Sequence, residues 1–156
     1  MSFDNMITRP LVKKDYDQIV QVIDRWWGGP TGSLAHPLFF YELGSLARVV
    51  EHEGVLVGFL FGFVASGPPR VGYIHLVGVH PDYRRRGVAR ILYQSFEEEC
   101  RAQGCHDLKG IITTGNEGAI AFHRNNGWEV TQVEDYAGPA RPRVVLRKTL
   151  KPGNFS

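Results

Sequence analysis

What this chain has little of narrows its chemistry first. Its 156 residues hold only two cysteines, Cys100 and Cys105, too few for a disulfide framework and in keeping with a reducing compartment. With His106 they form no recognisable four-ligand spacing, so no metal is expected. Net charge is scarce too, because 18 Lys+Arg against 16 Asp+Glu leave a formal +2. A nucleic-acid binder spreads a large basic excess over one face, and no nucleic acid partner is expected here. The longest apolar run, Val55 to Ala65, falls short of the ~20 residues that span a bilayer. Residues 1–10 are polar and lack the apolar core of a secretory leader. The expectation is a cytoplasmic protein without membrane attachment. Also missing are GxxxxGK and a GxGxxG after a strand, which removes the usual Walker and dinucleotide cradles for phosphate. Repeats, low-complexity tracts and linkers are absent, and the length suits a single domain over residues 1–156.

What is present is an ordinary globular composition, 43% hydrophobic and 22% charged, with its cationic residues gathered in one place. Residues 74–103 read IHLVGVHPDYRRRGVARILYQSFEEECRAQ. A β-branched run gives way to the turn His80-Pro81-Asp82, then to Arg84, Arg85, Arg86 and Gly87, and finally to helical periodicity. Val88, Ile91, Leu92, Phe96 and Cys100 recur at the three- and four-residue spacings that line one helix face, and Gly104 stops the helix. The order is strand, basic bend, helix. At a helix start the first backbone N–H groups have no intrahelical acceptor and carry the positive end of the dipole, which favours an anion. Gly87 and Ala89 lack bulk. A diphosphate can therefore lie against bare main chain, with Arg84, Arg85 and Arg86 adding charge-assisted hydrogen bonds.

Arg84-x-x-Gly87-x-Ala89, following a strand that ends Val77-Gly78-Val79, resembles motif A of the GNAT acyl-CoA N-acyltransferases. Downstream, Asn116-x-x-Ala119 and His123-x-x-x-Gly127-Trp128 resemble that family's later block, which usually reads Asn-x-x-Ala and then Tyr-x-x-x-Gly-Phe. The resemblance implies a mixed, mostly antiparallel α/β sheet of six to seven strands with about four helices, splayed between its fourth and fifth strands by a bulge. It also implies acetyl-CoA as co-substrate and a primary amine as acceptor, on a small molecule or a peptide.

The pattern along the chain fits that architecture. Strands are expected at residues 6–12, 46–52, 55–65, 71–79, 107–113, 128–133 and 143–149. Asp15 can cap a helix carrying Ile19, Val22, Ile23 and Trp26, and His36-Pro37 opens a short helix reaching Gly44. Glu53-Gly54 signals a tight hairpin turn. The strand from Val55 is apolar at nearly every residue and belongs at the centre of the sheet. Gly78, inside a strand, marks a bulge or a close approach. Asn116 caps the helix 117–126, and residues 134–142 make a long connection of the kind that carries function. Edge strands leave room for a homodimer.

For the chemistry, the resemblance implies that main-chain N–H groups near Val77, Gly78 and Val79 stabilise the oxyanion formed on amine attack. It places the cofactor on Arg84 to Ala89, Val88 included, and on Asn116, Ala119 and Phe122 of the later block. In most of the family a tyrosine seven residues after the Asn protonates the departing thiolate; here that position is His123. His123 is either this acid, as an imidazolium or through one neutral ring nitrogen, or a packed helix residue beside Phe122 and Trp128. For the base, Tyr73 occupies the position matching a glutamate of the histone-modifying branch and is poorly suited at neutral pH. His75 and a water held by main chain are the alternatives. Trp27, Tyr41, Glu42 and Asp135 are candidates to line the acceptor side, with Asp24 and Glu134 as further carboxylates. The aromatic density around Trp26, Trp27, Phe39, Phe40 and Tyr41 otherwise means core packing. A non-catalytic acyl-CoA sensor of the same fold is the rival reading, supported by the missing tyrosine.

Overall fold

The computed structural model describes residues 5–27 and 32–150, and of Trp27 the backbone only. The chain divides into two compact units, one of Met1–Phe63 with His75–Glu99, the other of Val64–Ile74 with Cys100–Ser156. Seven strands form one sheet in the order β1-β2-β3-β4-β5-β7-β6. The pairs β1–β2, β2–β3, β5–β7 and β6–β7 are antiparallel and β4–β5 is parallel, and among the described residues four helices complete the mixed α/β architecture. Among the described residues no helix is long and apolar enough to cross a membrane.

In the first unit, β1 (Met6–Pro10) stops at the proline, and the Leu11 N–H bonds to Ala47 O. Helix α1 (Lys13–Trp27) buries Ile19, Ile23 and Trp26 on its periodic face. Asp15 does not precede this helix but sits in its first turn, from which its carboxylate reaches back to the Val12 N–H at 2.8 Å. That is the reciprocal half of a capping box. The same carboxylate accepts two bonds from Arg9, at 2.7 and 2.9 Å, while Arg9 also reaches Glu51. Burial opposes the charge on Asp15, but the Arg9 and Val12 hydrogen bonds outweigh it and hold the carboxyl below its usual range.

After a 3-10 turn (Gly32–Ala35), the short helix expected across residues 36–44 forms as a single turn, α2 (Leu38–Tyr41), with Pro37 at its N-cap. The chain then doubles back so tightly that a Cβ on Gly44 would stand 2.2 Å from Phe40 O. Strands β2 (Arg48–His52) and β3 (Val55–Ala65) join through Glu53 and Gly54. Both turn residues have positive φ, 52° and 80°, as the expected two-residue hairpin requires. A register shift at Val50/Glu51 skips Val57 of β3, whose carbonyl accepts the His80 N–H at 2.8 Å. From Leu56 to Phe61 every residue of β3 is buried, as expected of a central strand.

Strand β4 (Val71–Val79) alternates buried and half-buried residues without a break. Gly78 is there because the Phe59 ring comes so close that a Cβ would meet it at 2.4 Å. Helix α3 (Val88–Ala102) buries Val88, Leu92, Phe96 and Cys100. Its first turn lies against β3 at Gly58, where a Cβ would stand 2.5 Å from Val88 Cγ1.

In the second unit, the end of α3 is closed by a Schellman motif. The Cys105 N–H reaches Cys100 O at 3.0 Å, the Gly104 N–H reaches Arg101 O at 3.0 Å, and Gly104 has φ 77°. Cys100 and Cys105 supply the apolar contact of that motif and both are buried thiols. Strand β5 (Asp107–Ile112) runs parallel to β4 from Val71↔Asp107 to Ile74↔Gly110. On its other side lie β7 (Arg143–Thr149) and then β6 (Glu129–Val133). Helix α4 (Glu117–Asn125) is capped by Asn116, whose Oδ1 accepts the Ala119 N–H, and it ends at Gly127 with φ 85°.

Candidate active site

The first unit carries the basic bend. After β4, His80-Pro81-Asp82 opens a 3-10 turn over Pro81–Tyr83, and His80 Nδ1 accepts the Asp82 N–H at 3.0 Å. The bend reaches Gly87, whose φ of 84° only glycine adopts without strain. Among the described residues nothing lies within 4 Å of where a Gly87 Cβ would be, so they leave the main chain bare on that side. The Gly87 carbonyl accepts the first bond of α3, from the Ile91 N–H at 3.1 Å.

The three arginines of the bend differ in what they already hold. Arg84 donates through Nη2 to Trp26 O at the end of α1. Arg85 is exposed, with φ 62°. Arg86 lies with its guanidinium carbon 4.3 Å over the Tyr83 ring, and its Nη2 is buried with no hydrogen-bond partner among the described residues. A buried guanidinium N–H without an acceptor is costly, and an anion would relieve it. The residues present therefore fit a phosphate-bearing co-substrate.

His75 belongs to the same unit. Its Nε2 donates to Leu34 O at 2.7 Å, and its ring stacks on Phe39 with centroids 3.7 Å apart. Burial pushes its pKa below the usual histidine value, against the pull of the Leu34 bond. The neutral ring therefore carries its proton on Nε2 and keeps a lone pair on Nδ1. Val77 and Val79 share its half-buried face of β4, while Gly78 points into the core. The aromatic cluster divides in two. Trp26 is core and stacks on Phe59, whereas Tyr41 is 60% exposed. Glu42, also exposed, closes α2 through its backbone. The Trp27 side chain lies outside the described residues.

The second unit carries the later block on α4. His123 is buried, flanked edge-on by the Phe122 and Trp128 rings at 5.3 Å each. Its Nδ1 lies 2.7 Å from Ala119 O. A carbonyl only accepts, so Nδ1 carries the proton, and a neutral His123 has no proton on Nε2 to give. Burial lowers its pKa, again against the backbone bond. Of the three readings open in the sequence, donation of an Nε2 proton by the neutral ring is thus removed. Asn116 spends its carbonyl oxygen on the helix cap, and Ala119 contributes both the capped N–H and the acceptor for His123. Asp135 is exposed in the connection to β7, where its carbonyl accepts the Gly138 N–H at 3.0 Å. In the same connection Tyr136 lies beneath Lys109, with Nζ 6.0 Å from the ring centroid. Glu134 accepts from Gln132 at 2.8 Å.

Sequence reasoning passed over Tyr83, His52 and Trp26 as partners of the bend. The turn His80-Pro81-Asp82 was the available signal for Tyr83, whereas His52 sits on a different strand and nothing local announces it.

Comparison with known proteins follows the same lines. The model of the acetyltransferase (GNAT) family matches residues 14–128. Acetyltransferase SG1711 of Sodalis glossinidius is 26% identical over 121 residues, covering 74% of this chain and 82% of that protein. Among solved structures, the ribosomal-protein-S18-alanine N-acetyltransferase of Escherichia coli superposes with a TM-score of 0.76 at 18% identity, over 97% of this chain and 99% of the other. Salmonella typhimurium yncA, solved with its cofactor acetyl-CoA, gives 0.71 at 19% identity, over 96% of each chain.

Proposed function

The chain belongs to the GNAT acetyltransferase family, and from that premise we propose that it transfers an acetyl group from acetyl-CoA to a primary amine by direct attack. The observation that carries the proposal is the bend ahead of α3. Bare main chain at Gly87 adjoins a helix start and an Arg86 N–H that lacks an acceptor among the described residues. Acetyl-CoA, when bound, supplies an acyl group already activated as a thioester. Arg84, Arg85 and Arg86 with the backbone of Gly87, Val88 and Ala89 hold the diphosphate. Main-chain N–H groups of Val77 to Val79 polarise the thioester carbonyl. Asn116, Ala119 and Phe122 of the later block are further candidates to hold the cofactor.

His75 is the candidate base for the ammonium of the acceptor. Its neutral ring offers Nδ1 as a lone pair, and its lowered pKa keeps that form populated at neutral pH. His123 is the candidate acid for the departing thiolate, and its Nδ1 bond to Ala119 means that it acts as an imidazolium. Trp27, Tyr41, Glu42 and Asp135 serve the acceptor, a small-molecule or peptide amine. That the E. coli neighbour acetylates a protein alanine supports including peptides.

The test is thiol release from acetyl-CoA with a panel of amines and peptides, alongside calorimetric titration of coenzyme A. Binding with acceptor-dependent release is the expected result. Binding without any acceptor-dependent release would make the protein a sensor, and no binding would end the reading altogether.

A further inference from the structure

The three adjacent arginines are differently constrained, and the difference points beyond the bend itself. Arg84 is engaged by Trp26 O, and Arg85 is exposed on a left-handed backbone. Only Arg86 is laid across an aromatic face. Its Nη1 makes a long hydrogen bond to Asp82 O at 3.4 Å, and its Nη2 is buried without a partner among the described residues. Its placement therefore depends on the ring beneath it, that of Tyr83, at 4.3 Å.

Tyr83 is itself fixed from two sides. Its hydroxyl shares a 2.9 Å hydrogen bond with Nδ1 of His52, a buried residue at the end of β2. Its ring meets the His80 ring edge-on at 5.5 Å. His80 is anchored in turn by its N–H on Val57 O and by contact of its ring with Trp26 at 5.4 Å. An arginine on a flexible stem loses rotamer freedom when it grips a phosphate. A ring that already holds the guanidinium removes much of that loss before the ligand arrives. We propose that Tyr83, oriented by His52, is a positioning residue that sets Arg86 for the phosphates of coenzyme A. The inference rests on the acetyl-CoA reading of the bend and adds to it an element from a distant strand.

The experiment is calorimetric titration of coenzyme A into the wild type, Tyr83→Phe, Tyr83→Leu, Arg86→Ala and the Tyr83→Leu/Arg86→Ala double variant. Tyr83→Phe keeps the ring and loses only the link to His52, so its affinity falls about two- to threefold. Tyr83→Leu removes the ring as well, and its affinity falls about tenfold. The double variant binds no more weakly than Arg86→Ala alone, because Tyr83 acts through Arg86. Additive losses in the double variant overturn the inference, since a merely structural tyrosine would weaken binding whether or not Arg86 is present. So does a Tyr83→Leu protein that binds like the wild type. Should Tyr83→Leu fail to fold, a Tyr83→Phe affinity equal to that of the wild type overturns the role of His52, and a loss that vanishes in the Arg86→Ala background upholds it. Absence of binding by the wild type would instead sink the acetyl-CoA reading and this inference with it.

Discussion

His123 holds its ring proton on the nitrogen that faces Ala119 O, and that one bond decides what the residue can do. Only the imidazolium has a proton on Nε2, and burial lowers the pKa from 6.5. The His123-dependent part of the rate should therefore rise as pH drops below 6.5. We expect His123→Phe to slow acceptor-dependent thiol release about a hundredfold at pH 6 while coenzyme A binds unchanged. A turnover rate that does not move would remove the acid role. Asp15 gives a stability prediction at the same scale. Asp15→Ala strips Arg9 of its bidentate partner and the Val12 N–H of its acceptor. The loss should be about 2–3 kcal/mol, read from the denaturant midpoint. Its sign with pH follows from the lowered carboxyl. The stabilisation is complete above the ordinary value of 3.8 and is lost as pH falls through the lower folded value.

Elements were legible where one periodicity governed them. Lys13–Trp27 and Val88–Ala102 follow from apolar spacing, and the Glu53-Gly54 turn follows from its residue types. In the stretch after α1 the helix opened by Pro37 was legible but its length was not, because no amphipathic period runs through His36 to Gly44 and Gly44 is set by contact with Phe40 O. Gly58 shows the same limit. Its place in a buried strand was clear, but its reason is Val88 of α3, a neighbour no local pattern reveals. Gly58→Ala forces the first turn of α3 away from β3, against contacts of 2.5 Å to Val88 Cγ1 and 3.3 Å to Leu92 Cδ1. It should cost about 1–3 kcal/mol and weaken coenzyme A binding by displacing the bend. Gly67→Ala, where no described residue lies within 4 Å, should change neither. Equal affinity in the two variants would separate the bend from the helix seat.

For the whole molecule, seven strands and four helices could be read from the sequence, but the sheet order β5-β7-β6 could not. Sequence neighbours pair by default, and here the last strand inserts between two earlier ones. The network His52, Tyr83 and Arg86 was hidden for a similar reason, since it joins β2 to the bend across the chain. One expectation embraces both units. His75 and His123 are each held below the ordinary 6.5, chiefly by burial. Below pH 6.5 the unfolded chain takes up protons that the folded chain resists. Stability is therefore complete above 6.5 and declines as pH falls from there through the folded values. A melting temperature followed from pH 8 to 5 should show this decline, and the double variant His75→Phe/His123→Phe should flatten it.

The closure of α3 has a practical corollary. Both sulfhydryls of the chain, at positions 100 and 105, are buried, the first completely and the second to 7% exposure, so reaction with a colorimetric aryl disulfide is held back until the fold opens. The intact protein should give no rapid colour, and the two equivalents should appear only as fast as molecules transiently unseal. The protein thus carries a label-free clock for its own breathing, and slower colour development after coenzyme A is added would register the ligand as a lock on that motion.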